Sequence, residues 1–191
     1  MLRPIATTIL KAFGWRVSFS LPPRDKFVLI GAPHTSNWDF PLGLLGMWAC
    51  GLRFHWVGKD TLFKGPLGPI MRAIGGIPVD RQGSTGFLKK VIHIFTQRDQ
   101  FVMAIAPEGT RGLTKEWKEG FYRIAMATGV PIALAYIDYP SKRIGIDRML
   151  EPSGDIDADF MVLEEYYRDK IGKRPEQQGP VRIKRGSGKK G

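Results

Sequence analysis

The chain has 191 residues, 43% of them hydrophobic, which suffices for one domain with a buried core and is too short for two comfortable ones. Lysine and arginine outnumber aspartate and glutamate by 29 to 18, and this net charge of +11 favours an anionic partner. No apolar run approaches the roughly 20 residues of a membrane-spanning helix, and the single cysteine, Cys50, excludes an internal disulfide.

The first predicted element is an amphipathic helix within an N-terminal segment of residues 1–23. Its apolar residues recur at helical spacing: Leu2, Ile5, Ala6, Ile9, Leu10 and Phe13. Such a helix can simply pack on its own core. Its cationic flanks and Trp15 also suit contact with a membrane interface. Both interpretations stay open at this point of the chain.

The stretch HTSNWDF, residues 34–40, lies between a strand predicted over residues 26–31 and a helix from about residue 40 to 52. It holds His34 and Asp39, separated by four residues. A neutral imidazole can take a proton from a hydroxyl, while a carboxylate on its other nitrogen fixes the tautomer and stabilises the cation. Alternatively, Asp39 only caps the helix and His34 is a loop histidine without a chemical task.

The next predicted elements bring basic side chains to the ends of strands. A strand over residues 53–58 ends before Lys59, and a short helix over residues 61–73 leads to a brief strand that ends in Asp80 and Arg81. Lys59 could be a solvated lysine and Arg81 could pair with Asp80. A guanidinium also has the fork geometry that binds phosphate oxygens in two places.

The segment PEGTR follows the apolar strand FVMAIA, which itself follows a helix predicted over residues 86–98. If the sheet is mainly parallel, this segment lies at the same edge as His34. Gly109 would permit a tight turn, and Arg111 would supply another phosphate-binding fork. Glu108 could transfer protons, but a glutamate between two arginines is more often an ion-pair partner that orients them, and we favour that role.

The remaining sequence predicts the end of the domain and a tail. EGFYRIAMATG predicts a helix stopped by Gly129, PIALAYIDY predicts another strand, and KRIGIDR is compatible with one more. Residues 156–171 predict a helix whose charge order suits the helix dipole. Residues 172–191 are rich in glycine, proline and lysine, which predicts a disordered basic tail. The domain would therefore span residues 24–171.

Four motifs occur in order along the chain: HTSNWDF, GGIPVDR, APEGTR and VPIALA. Together they resemble those of the glycerolipid acyltransferase family, the acylglycerophosphate acyltransferases and their relatives, over roughly residues 26–137. The resemblance implies a single α/β domain with a mixed, mainly parallel sheet flanked by helices. The sequence departs from the family at Ala106, where phenylalanine is usual, and at Ala135, where proline or valine is common.

The resemblance also implies a reaction and a set of site residues. His34, oriented by Asp39, would deprotonate an acceptor hydroxyl that attacks an acyl thioester of coenzyme A or acyl carrier protein, and no metal or bound cofactor is required. The implied substrate-binding residues are Lys59, Arg81, Glu108, Gly109, Thr110 and Arg111. The acceptor would be a lysophospholipid, foremost 1-acylglycerol-3-phosphate giving phosphatidic acid, or else a different lipid or polyol.

A lipid enzyme without a spanning segment must reach its substrate at a surface, so we favour interfacial contact by the N-terminal helix. The expected location is cytoplasmic and peripheral, on the inner face of an anionic membrane. A module that binds anionic membranes or nucleic acid is the second hypothesis, but no zinc-finger, RNP-like or glycine-lysine phosphate motif occurs, and nucleic acid is not expected. A serine hydrolase lacks its G-x-S-x-G elbow. His55 and His93 lack partners at metal-ligand spacing and are interpreted as structural.

Overall fold

The computed structural model of the chain describes residues 2–79 and 84–183. These residues form six α-helices: α1 (Leu2–Ala12), α2 (Asp39–Ala49), α3 (Gly68–Ala73), α4 (Ser84–Gln97), α5 (Gly120–Thr128) and α6 (Ile156–Tyr167). The strands are β1 (Arg16–Phe19), β2 (Lys26–Gly31), β3 (His55–Lys59), β4 (Gly76–Val79), β5 (Phe101–Ile105), β6 (Ile132–Asp138) and β7 (Arg143–Leu150). Two short 3-10 helices comprise Asp60–Phe63 and Pro175–Gln177.

All the strands join one sheet in the order β1-β7-β6-β2-β5-β3-β4. Strands β6, β2, β5, β3 and β4 are mutually parallel, β7 is antiparallel to β6, and β1 is parallel to β7. The sheet is therefore mixed and mainly parallel, which confirms the predicted fold class. Because β2, β5, β3 and β6 run the same way, the loops that follow them meet at one edge of the sheet.

The core lies on both faces of the sheet. The run FVLI, residues 27–30 of β2, is apolar throughout because both of its faces are covered, as is typical of a central parallel strand. Val28 and Ile30 join a cluster that includes Trp117, whereas Phe27 and Leu29 join a second cluster on the opposite face. Each fully buried side chain of this size contributes about 1.5–3 kcal/mol, so β2 is a firm support for the loop that follows it.

The N-terminal helix α1 packs against α2, and it divides the apolar stripe seen in the sequence into two faces. Ala6 and Leu10 are buried with Trp15 in a third apolar cluster. The exposed face carries Leu2, Ile5 and Ile9 and continues into Phe13, which directly follows the helix and is 70% exposed. The following strand, β1, belongs to the main sheet, so residues 1–23 are not a separate unit. None of the helices in the described part of the chain is long and apolar enough to cross a membrane.

The C-terminal segment differs most from its prediction. Disorder from residue 172 onward is wrong for residues 172–183, which include a 3-10 helix and a parallel bridge between Ile183 and Trp117. The backbone N–H of Trp117 donates to the carbonyl of Arg182 at 2.6 Å. Polar composition misled because hydrogen bonds hold much of this segment, while only Val181 and Ile183 pack against the apolar core. Residues 184–191, the rest of the predicted tail, lie outside the described residues.

The helix predicted over residues 61–73 is also different, since it consists of a 3-10 turn followed by α3. Gly65 between them has a φ of 72°, and the Pro66 that follows cannot donate a helical hydrogen bond. At the other end of the fold, Gly129 ends α5 in the left-handed conformation with a φ of 63°, as predicted. The predicted helix over residues 156–171 ends at Tyr167.

Candidate active site

His34 and Asp39 lie together on the loop between β2 and α2, with Nδ1 of the imidazole 3.2 Å from Oδ2 of the carboxylate. The His34 side chain is 26% exposed, whereas that of Asp39 is 5% exposed. An N–H at Nδ1 that donates to the carboxylate leaves Nε2 as the ring nitrogen with a free lone pair. The geometry therefore fits a proton acceptor with a buried orienting group.

Hydrogen bonds surround the Asp39 carboxylate on both oxygens. Oδ2 accepts the backbone N–H groups of Thr35 and Ser36, each at 2.8 Å, and Oδ1 accepts the hydroxyl of Tyr139 at 2.6 Å. Burial raises the pKa of Asp39, but hydrogen bonds from His34, Tyr139 and Ser36 outweigh burial and hold the pKa below its ordinary value. The carboxylate is consequently ionised at neutral pH.

The alternative role of Asp39 as a helix cap is wrong. The residue occupies the first position of α2, and the cap is Trp38, which makes no side-chain capping bond. The donors that Asp39 accepts from its own loop, Thr35 and Ser36, precede the helix and do not belong to its first turn. Asp39 therefore shapes the loop that carries His34, and its charge near the start of α2 is a secondary benefit from the helix dipole.

Tyr139 is a site residue that the sequence interpretation missed. It directly follows the carboxyl end of β6, the strand beside β2, so its position at the shared edge was the available signal. The Trp15 ring packs edge-on against Tyr139 with centroids 5.2 Å apart, which fixes the phenol. Burial, together with the Asp39 carboxylate, raises the pKa of Tyr139 far above its usual range, so the hydroxyl stays a donor.

Glu108, in the turn after β5, holds the backbone of His34. Its Oε1 accepts the backbone N–H of His34 at 3.0 Å, and its buried Oε2 has no hydrogen-bond partner among the described residues. Burial raises the pKa of Glu108 to about 7, the Asp39 charge adds to this rise, and the N–H of His34 opposes it. Glu108 forms no ion pair within the described part of the chain. The prediction that it pairs with neighbouring arginines is therefore wrong for Arg111, whose guanidinium contacts Asn37 instead.

The PEGTR segment becomes exposed at Thr110 and Arg111, beside the loop that carries His34. The guanidinium of Arg111 donates to Oδ1 of Asn37, between His34 and Asp39 in sequence. Gly109 has a φ of 67°, so the predicted tight turn is present. The hydroxyl oxygen of Thr110 accepts the N–H of Gly112 at 3.2 Å, a contact that stabilises this turn.

The two remaining basic residues predicted for the site are Lys59 and Arg81. Lys59 is exposed at the carboxyl end of β3, on the same edge of the sheet as His34 but separated from β2 by β5. Arg81 lies outside the described residues, between β4 and α4. The structure thus brings Arg111 to the loop and leaves Lys59 at its periphery. No group of three His, Cys, Asp or Glu side chains within residues 2–79 and 84–183 is arranged to hold a metal ion.

Residues 172–178, which we call the C-terminal strap, also contact this loop. The backbone N–H of Arg174 donates to Oγ1 of Thr35 at 3.1 Å. With the Gln177 amide oriented so that its nitrogen faces these acceptors, the nitrogen donates to the carbonyl oxygens of Thr35 at 3.0 Å and Arg111 at 2.8 Å. The C-terminal strap therefore contacts both the loop and the β5 turn, an arrangement that composition alone did not indicate.

Comparison with known proteins places this geometry in context. The family model described as Acyltransferase matches residues 18–137, more than half of the chain. Among solved structures, the chain is similar to the crystal structure of the 1-acyl-sn-glycerophosphate (LPA) acyltransferase PlsC from Thermotoga maritima. That similarity has a TM-score of 0.61 at 20% sequence identity and covers 90% of this chain and 80% of that chain. No curated protein matches the chain.

Proposed function

The chain belongs to the acyltransferase family, and we propose that it transfers a fatty acyl group from an acyl thioester to the free hydroxyl of a lysophospholipid. The proposed acceptor is 1-acylglycerol-3-phosphate, which would give phosphatidic acid, and the donor is acyl-CoA or acyl carrier protein. The observation that carries the proposal is the 3.2 Å contact between His34 and the buried, ionised Asp39. A different lipid or polyol acceptor is the second candidate for the same chemistry.

In the proposed reaction, Nε2 of His34 takes the proton of the acceptor hydroxyl while its oxygen forms a bond to the thioester carbonyl carbon. The imidazolium is stabilised by Asp39 across Nδ1. The tetrahedral intermediate then collapses, the carbon–sulfur bond breaks, and the thiolate takes the proton from His34. A positioned base of this kind contributes about a hundred- to ten-thousand-fold to the rate.

Two further side chains would support the base without touching the reacting atoms. Tyr139 fixes the Asp39 carboxylate through Oδ1, so that Oδ2 faces Nδ1 of His34. Glu108 accepts the backbone N–H of His34 and so fixes the backbone position from which the imidazole extends. Base catalysis depends on reacting atoms held within hydrogen-bond distance, and these contacts restrict the movement of the base.

Basic residues at the edge of the sheet would bind the acceptor phosphate. Arg111 is tethered to the loop of His34 by Asn37, and a guanidinium binds phosphate oxygens through a pair of parallel hydrogen bonds. Lys59 would add charge at the periphery. Arg81 would join them on the strength of its family motif alone, because it lies outside the described residues.

The proposal includes peripheral contact with the inner face of an anionic membrane. The exposed face of α1 presents four large apolar side chains beside the cationic Lys11: Leu2, Ile5, Ile9 and Phe13. Helices with such a face insert it at the boundary between headgroups and acyl chains. This contact would deliver the enzyme to a lipid acceptor.

The proposal can be tested by measuring thiol release from acyl-CoA and from acylated acyl carrier protein. The lipid product is identified by mass spectrometry. Release should depend on 1-acylglycerol-3-phosphate and yield phosphatidic acid. His34→Ala should remove this activity, whereas His93→Ala, which changes an exposed histidine of α4, should behave as wild type. Acceptor-independent release, or activity of His34→Ala within a few-fold of wild type, would contradict the proposed reaction.

A further inference from the structure

A cleft of about 360 Å³ lies beside the loop that carries His34 and Asp39. One wall is the loop itself, residues 35–38. The other side is formed by Arg111 and Gly112 of the β5 turn and by the C-terminal strap. The cleft is therefore built by segments far apart in sequence, and its last contributor lies beyond residues 18–137 that match the family model.

Main-chain contacts fix the part of the C-terminal strap that faces the cleft. Gly172 lies so close to Thr35 that an added Cβ would stand 2.6 Å from Oγ1 of Thr35. The side chain of Gln178 accepts the N–H of Gly172 at 3.0 Å and donates to the carbonyl of Lys170 at 2.8 Å. The backbone N–H of Arg174 donates to Oγ1 of Thr35, so the Arg174 side chain extends from a fixed backbone position.

The cleft concentrates positive charge without a counter-ion. Arg111 and Arg174 both line it, no carboxylate among the described residues does, and neither guanidinium forms an ion pair with a described carboxylate. At the rim, the Lys173 ammonium lies 5.0 Å from the centroid of the Trp38 ring. Arg111 uses an N–H for Asn37 and keeps the rest of its five donors. Such a site attracts an anion with several acceptor oxygens.

We propose that this cleft binds the phosphate monoester of the acceptor, and that Arg174 of the C-terminal strap binds it together with Arg111. The inference rests on the proposed function and deepens it. In 1-acylglycerol-3-phosphate the free hydroxyl and the phosphoester are on adjacent carbons, so the phosphate must bind next to the base. Residues 35–38, which directly follow His34 in the chain, form one wall of the cleft, so it lies along the loop that carries the base.

The kinetic test compares Arg174→Ala with Arg182→Ala, which removes an exposed arginine of the same C-terminal region that does not line the cleft. With 1-acylglycerol-3-phosphate, Arg174→Ala should raise the acceptor KM by about tenfold or more, because a charge-assisted hydrogen bond is lost. Activity with a monoacylglycerol, which lacks the phosphate, and the KM for acyl-CoA should not change. Arg182→Ala should match wild type with every substrate.

Calorimetric titration of the full chain with sn-glycerol 3-phosphate and with glycerol separates the two proposals. Wild type should bind only the phosphate compound, and Arg174→Ala should weaken that binding by about tenfold. If binding depends on Arg174 but no lysophospholipid is acylated, the proposed function is wrong and the phosphate site stands. Equal losses with both acceptors, a raised KM for acyl-CoA in place of the acceptor, or undiminished binding by Arg174→Ala would each overturn the inference.

Discussion

The hydroxyl of Tyr139 donates a 2.6 Å hydrogen bond to Oδ1 of Asp39, although 100 residues separate the two in sequence. The bond joins the loop after β2 to the end of β6, the neighbouring strand. It occupies the carboxylate oxygen that does not face His34. Tyr139 is therefore a positioning residue, one step removed from the imidazole.

Tyr139→Phe should reduce turnover by about tenfold or more, since a hydrogen bond to a charged group is worth about 1.5–3 kcal/mol. Its loss also raises the pKa of Asp39. A lowered folded-state pKa gives stability that is present above the unfolded value of 3.8 and lost as the pH falls through the folded value. The variant should consequently begin to unfold at a higher pH on acidification, which circular dichroism can follow.

Tyr122→Phe is the matched control for that variant. Tyr122 donates an equally short hydrogen bond, 2.6 Å, to the buried Asp159, in a different part of the fold. This control should lose stability, because it too leaves a buried carboxylate oxygen with one partner fewer, yet its turnover should stay at the wild-type value. Equal turnover of the two variants would mean that Tyr139 contributes to the fold alone.

Glu108→Gln should alter how stability depends on pH. Burial raises the pKa of Glu108 from 4.5 to about 7 in the folded chain. The stability associated with the protonated form is fully present below pH 4.5 and is lost as the pH rises through about 7, because the unfolded chain releases its proton first. Relative to the variant, wild type should therefore lose about 2–3 kcal/mol of unfolding free energy between pH 5 and pH 8.

Urea unfolding at the two pH values measures this difference. The glutamine oxygen can still accept the N–H of His34, so any cost of the new amide group is the same at both pH values. Glu116→Gln, at an exposed position of the same turn region, should leave the wild-type slope unchanged. Parallel slopes for wild type and Glu108→Gln would show that the carboxyl ionises normally despite its burial.

Gly172→Ala should displace the C-terminal strap. The new Cβ would lie 2.6 Å from Oγ1 and 3.0 Å from Cγ2 of Thr35, whose β-branched side chain is buried and cannot easily move. We expect a loss of about 1–3 kcal/mol in the free energy of unfolding, the usual cost of overpacking, and faster tryptic cleavage after Lys173. Acyl transfer to a phosphate-bearing acceptor should fall at the same time.

Gly86→Ala provides the control for that steric argument. An added Cβ at Gly86, inside α4, meets no atom within 4 Å. Alanine favours a helix over glycine by up to about 1 kcal/mol, so this variant should be slightly more stable than wild type. If Gly172→Ala is as stable and as resistant to trypsin as Gly86→Ala, the contact between the C-terminal strap and Thr35 is not rigid.

Much of the fold could be predicted because its signals are local. The apolar run of β2 has the predicted bounds, and the glycine that ends α5 is the predicted one. Strand β1 was missed because it has four residues at the sheet margin and only Val17 is partly buried. An amphipathic or continuous apolar pattern cannot arise from so few inward-facing positions.

The site could be predicted only in part, for a similar reason. His34, Asp39 and Arg111 occur in short motifs, so their neighbourhood along the chain indicates their chemistry. The contacts of Tyr139 and Arg174 with the same loop depend on strand order and on main-chain bonds to Thr35, which no local pattern encodes. Charge also misled: Glu108 stands near arginines in sequence but is buried against the backbone of His34.

The last prediction concerns membrane contact, for which α1 and the basic C-terminus should respond differently to salt. Ile9→Glu with Phe13→Glu should remove the salt-resistant part of liposome binding, because it places charge on the exposed apolar face of α1. Leu10 is omitted because it is buried, and its replacement would disturb the core. Deletion of residues 184–191 should remove the salt-sensitive part: Lys184, Arg185, Lys189 and Lys190 each add about 1 kcal/mol of attraction near anionic lipid.

Flotation with anionic liposomes at low and high salt measures both parts, since salt screens charge and hardly affects apolar insertion. Met161→Glu is the matched control, because Met161 is a 66% exposed apolar residue on α6, outside the α1 face. It should float as wild type does. If the double variant in α1 floats as well as Met161→Glu at high salt, the exposed face of this helix does not enter the membrane, and the lipid acceptor must reach His34 from another surface.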